Sequence, residues 1–141
     1  MPREPSSADP HEADALPRAA LAALWQRASA ASSAARFAEL ERVMTEASAL
    51  AVRLHGENHA ETARALNELA YALRRQGNYA AAEPVLRRLI AIQETLEGPE
   101  HPSLGLLLDL LAAAVSRVHP GRMSEVKKLE SRAAHLRLRR R

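Results

Sequence analysis

Within residues 60–77, "AETARALNELAYALRRQG", the side chains Arg64, Asn67, Tyr71, Arg74 and Arg75 recur at steps of three, four, three and one. On a helix that spacing gathers them on the face opposite Leu66, Leu69 and Leu73. Three guanidiniums there suit carboxylates, because their forked N–H donors match both oxygens of an acidic side chain or a terminal carboxylate. Arg74 and Arg75, near the helix end, equally suit the macrodipole and the solvent, so both roles stay open for them.

Other chemistry finds little support. His55 and His59, or His101 and His119, lack a carboxylate partner at ligand spacing on one face, so no metal site is expected. The chain has no cysteine, which excludes a disulfide framework, a thiolate metal site and a cysteine nucleophile. No glycine-rich phosphate loop, Ser–His–Asp constellation or paired carboxylates in a cleft can be read, so neither an enzyme nor a cofactor is expected. Glu39, Glu41, Glu46 and Glu83 stand beside arginines at helical spacing and read as solvated faces.

The elements that carry these residues follow from composition. Of 141 residues 47% are hydrophobic but only 3% aromatic, so the core must be Leu, Val, Ile and Ala packed between helices, without strands. Residues 1–13, with Pro2, Pro5, Pro10, Ser6 and Ser7 and an excess of acid, read as a flexible leader. Residues 14–136 form the helical domain, and residues 137–141 a basic tail. No apolar run approaches the ~18 residues a membrane helix needs, and the absence of cysteine fits the cytosol.

Six apolar stripes follow one another. The first holds Leu16, Leu21, Leu24, Ala28 and Ala31, and the second Phe37, Leu40, Val43, Met44, Ala47 and Leu50. The third holds Ala63, Leu66, Leu69, Ala70 and Leu73; the fourth runs from Tyr79 to Ile92 across Pro84, which should bend it. The fifth, "SLGLLLDLLAAAVSRV", is rich in leucine. The sixth is thin, with Val126, Leu129, Ala133 and Leu136 alone.

One offset relates these stripes. Leu54 and Leu96, Gly56 and Gly98, and His59 and His101 are each forty-two residues apart, as are the columns Leu24, Leu66, Leu108 and Ala28, Ala70, Ala112. The small column marks helices that approach closely. The glycine and histidine mark joints between units, where the histidine caps the next helix. Keeping an apolar stripe in the sixth helix requires a register slip, since Lys127, Lys128 and Ser131 take the places of Val85, Leu86 and Leu89.

The central unit, with its Leu-Asn-x-Leu-Ala core, Gln-Gly-x-Tyr turn, Ala-Glu pair and closing Gly-x-x-His-Pro, resembles the long-period tetratricopeptide repeat of kinesin light chain and many bacterial repeat proteins. The resemblance spans residues 16–118. It implies an all-α fold, a short right-handed α-solenoid of about three antiparallel helix hairpins with the last helix as a polar cap. It also implies a non-catalytic scaffold whose first helices line a concave groove for a peptide or partner helix. Asn67 coincides with the family's recurrent asparagine, which implies a hydrogen bond to the backbone of an extended ligand. Arg64, Tyr71, Arg74 and Arg75 would share that groove, with Trp25 and Arg117 on the neighbouring helices. Trp25 can equally cover the first hairpin or pack on the leader.

A protein or peptide partner, acidic in character, is therefore the first expectation. The alternative is nucleic-acid or anionic-surface binding through the basic end from Arg132 to Arg141, which has no aromatic for base stacking. Self-association through an open solenoid end is compatible with either.

Overall fold

A computed structural model describes residues 10–139, and the described residues contain seven helices and no strand. They are α1 (Pro10–Ala13), α2 (Ala15–Ser33), α3 (Phe37–His55), α4 (Ala60–Arg75), α5 (Tyr79–Glu97), α6 (Leu104–Val118) and α7 (Met123–Leu138). Helix α1 is a single turn that runs into α2 through Asp14, inside the segment expected to be a leader; residues 1–9 of that leader and residues 140–141 of the tail lie outside the described residues. Hairpins α2/α3, α4/α5 and α6/α7 follow in series, and from α2 onward each helix packs on its neighbours in the chain.

The repeat is carried by the core. All eight buried residues of α4, from Thr62 to Leu73, have a buried counterpart in α6 forty-two residues later, from Leu104 to Val115. The four buried residues of α2, Leu21, Leu24, Ala28 and Ala31, match Ala63, Leu66, Ala70 and Leu73 in the same way. Each fully buried leucine of these columns contributes about 1.5–3 kcal/mol of transfer free energy. Ala28, Ala70 and Ala112 are all buried, as a close helix approach requires.

Local signals set the ends. Gly56 and Gly98 terminate α3 and α5 at φ of 90° and 91°, a region that favours glycine. Beyond each glycine a histidine side chain accepts a backbone N–H two residues on: His59 Nδ1 accepts the Glu61 N–H at 3.1 Å, and His101 Nδ1 accepts the Ser103 N–H at 3.2 Å. The expected capping role is met at His59; α6 instead has Ser103 as its N-cap, without a side-chain cap bond, and His101 fastens the turn before it. Helix α5 continues through Pro84 without interruption.

One expectation changes, and the register slip expected in the last helix acquires a size. Leu16, assigned to the inward stripe of the first helix, is 82% exposed, because no described hairpin packs against that end of α2. In α7 the buried residues Val126, Ala133 and Leu136 stand forty-four residues after Ala82, Leu89 and Ile92. The required slip is therefore two residues, and it arises at the turn His119–Arg122, where Gly121 does not take the left-handed conformation of Gly77.

Candidate partner-binding grooves

The first helices of the hairpins, α2, α4 and α6, are held apart by the second helices that pack between them, which leaves two open grooves. The groove between α2 and α4, about 260 Å3, is lined by Trp25, Ser29, Ser32, Arg64 and Glu68. The groove between α4 and α6, about 410 Å3, has Arg64 and Asn67 on one wall and Leu106 and Leu107 on the other, with Leu96 and Glu97 of α5 at its end.

Arg64 belongs to both. Its Cζ lies 3.9 Å from the centroid of the Trp25 ring, and its Nη1 lies 3.9 Å from a Glu61 carboxylate oxygen, while 60% of its side chain stays exposed. A guanidinium over an indole face is stabilised by about 0.5–1 kcal/mol at an exposed site, weak enough to be exchanged for a ligand carboxylate. Asn67, one turn further along α4, is exposed at the same wall. Sequence reasoning missed Leu106, which is 66% exposed in the second groove, together with Leu96 at 40%. The signal was present: "LGLLLDLL" holds more leucines than one buried stripe accommodates.

The remaining residues of the α4 face do not join this cluster. Arg75 Cζ stands 4.9 Å from the Phe37 ring centroid and 6.0 Å from that of Tyr71, and Tyr71 meets Phe37 edge to face with centroids 5.8 Å apart. One repeat later Arg117 covers Tyr79 at 4.5 Å. Phe37 and Tyr79 are equivalent, as are Arg75 and Arg117, so the array repeats one device: an arginine at the end of a first helix clasps the aromatic that opens the preceding second helix. Arg74 is half-buried and takes no part in the ring contacts found among the described residues.

On the opposite side, carboxylates and bases fasten the hairpins. Glu83 accepts from Arg87 at 2.9 Å and meets His119 at 3.1 Å, and Arg87 also reaches Glu125 at 2.6 Å. The Arg87 hydrogen bond holds the Glu83 carboxyl below its usual range, with His119 adding to the effect against the opposing influence of burial. Glu57 is likewise lowered, by its paired hydrogen bonds from Arg88. The basic end is engaged in the same manner: Arg132 with Glu94, Arg137 with Asp109 and Arg139 with Glu100. Among the described residues no cluster of His, Asp or Glu suits a metal ion, and no helix is long and apolar enough to cross a membrane.

Comparison with known proteins places this geometry. Residues 62–103 match the family model of the tetratricopeptide repeat. A solved protein described as a kinesin light chain of Podosopora anserina, with nearly identical TPR-like repeats, is similar over 84% of this chain and 55% of its own length, at a TM-score of 0.67 and 21% identity. The chain therefore spans about half of that protein, and the likeness is one of fold. No curated protein matches the sequence. Residues 62–103 thus carry a tetratricopeptide repeat at the centre of the chain, and the chain shares its fold of consecutive helix hairpins with that kinesin light chain repeat protein.

Proposed function

We propose that the chain is a non-catalytic scaffold that receives an acidic protein segment along its first-helix grooves. The tetratricopeptide fold generally mediates protein–protein interaction, which supports the class of function. The finer reading rests on one observation: exposed Arg64 stands at the wall shared by both grooves, beside exposed Asn67 and across from exposed Leu106. Arg64 supplies charge for a carboxylate, Asn67 both a donor and an acceptor for an extended backbone, and Leu106 with Leu96 an apolar seat. Glu68 and Glu97 line the same grooves, so preference for an acidic segment depends on Arg64 in particular.

The experiment is capture from a native extract by the wild type and by the Arg64→Ala, Asn67→Ala double variant, followed by calorimetry of the captured segment. Loss of a bound protein in the variant, with an unchanged helical circular-dichroism spectrum, supports the reading. Equal capture by both proteins moves the binding site to another surface.

A further inference from the structure

The end of the array before α2 carries an apolar slot that no other described helix covers. Leu16, Pro17 and Ala20 of α2 face Ala49 and Leu50 of α3 across about 500 Å3. In the next two hairpins the equivalent place is closed by the joint with the preceding hairpin. There Arg88 donates to both carboxylate oxygens of Glu57 at 2.5 and 2.6 Å, and Arg132 reaches Glu94 at 2.9 Å and the Pro99 carbonyl at 3.1 Å. Ile92 and Leu136 below these arginines are buried. In the first hairpin Glu46 occupies the place of Arg88, and Leu50, in the place of Ile92, remains partly exposed.

The charges at this slot have a symmetry of their own. Glu46 and Arg53 both line it, seven residues apart on α3, which is two helical turns or about 10.5 Å, with Ala49 and Leu50 between them. Both are exposed, and neither takes part in an ion pair among the described residues. A two-fold axis passing between Ala49 and Leu50 sets a second α3 antiparallel to the first. Glu46 of each copy then faces Arg53 of the other, and the two slots close on each other. The small Ala49 side chain allows the helices to approach, and Leu16 of both copies leaves water. This is an isologous contact, in which one surface complements itself and the assembly closes at two.

We propose that the chain forms a two-fold homodimer through this slot. The surface uses the start of α2 and the outer side of α3, whereas the grooves use Trp25 and later residues of α2, so dimerisation and partner binding are independent.

Sedimentation equilibrium of the full chain over a concentration series tests it. The expected result is a concentration-dependent dimer that Glu46→Arg weakens about tenfold or more, since it sets like charges opposite each other twice. The reversed pair Glu46→Arg, Arg53→Glu should restore wild-type association, and Leu16→Ser should weaken it. Circular dichroism establishes that each variant is folded. A wild type that stays monomeric at every concentration overturns the proposal; if removal of residues 1–9 then produces the dimer, the chain's own amino-terminal segment is the occupant. A dimer indifferent to Glu46→Arg, or not restored by the reversed pair, overturns it as well.

Discussion

Arg64 of α4 covers Trp25 of α2 at 3.9 Å, and so couples the only tryptophan of the chain to the residue shared by the two grooves. A ligand that takes the guanidinium away uncovers the indole. Binding of an acidic segment is therefore expected to change Trp25 emission, and Arg64→Ala to produce the same change without ligand. The variant should bind about tenfold or more weakly, as one charge-assisted hydrogen bond of roughly 1.5–3 kcal/mol is lost. Fluorescence titration at two salt concentrations checks both points, with the wild-type complex weaker at high salt.

Arg75 and Arg117 predict the opposite pattern. Because each covers an aromatic of the preceding hairpin, Arg75→Ala and Arg117→Ala should each lower stability by about 0.5–1 kcal/mol. Partner affinity should stay within twofold of wild type. Thermal melts and calorimetry on the two variants separate an inter-hairpin clasp from a ligand contact.

Ala70 lies fully buried in the small column of the central hairpin. Ala70→Leu places three additional carbons where the helices meet and should cost about 1–3 kcal/mol. Urea denaturation measures it. A midpoint equal to that of the wild type would remove Ala70 from a close helix approach.

Glu83 and Glu57 both have carboxyls held below their ordinary range by arginine hydrogen bonds. Their folded values lie under the unfolded ones, so their contribution is complete above the ordinary carboxylate range and disappears as pH falls through the lowered values. Acid should therefore destabilise the array. Glu83→Gln should cost about 1 kcal/mol at neutral pH and flatten the acid limb of a stability-against-pH curve. An unchanged acid limb would assign that dependence to other carboxylates.

Much of the architecture was legible because burial follows residue type at a fixed period. The columns through Leu24, Leu66 and Leu108 and through Ala28, Ala70 and Ala112, and the joint histidines His59 and His101, all lie where the offset of forty-two places them. The candidate site was legible only in part. Helical spacing fixes the side on which an arginine leaves the backbone, but the guanidinium at the end of a long chain goes to the best partner nearby. For Arg75 that partner is Phe37, thirty-eight residues earlier in the chain, which only the tertiary fold brings close. Leu16 and Leu106 were hidden for a different reason. Their apolar character says that burial is favourable, while their exposure depends on tertiary neighbours: no described hairpin packs on Leu16 at the start of α2, and Leu106 faces the open groove.

The backbone packing of α2 through α7, which runs between chain neighbours while side-chain contacts such as Arg64–Trp25 and Arg87–Glu125 reach only the next helix but one, also bears on how the chain reaches its fold. No interface waits for a segment far away in the sequence, so contact order is low and each closure loop is short. Each helix can dock as soon as its successor has left the ribosome, and the nascent chain is never required to keep a long apolar stretch unpaired. The same locality lets either end fray without unfastening the centre, so the joint at His59 and the clasp at Arg75 should be the last native contacts to open.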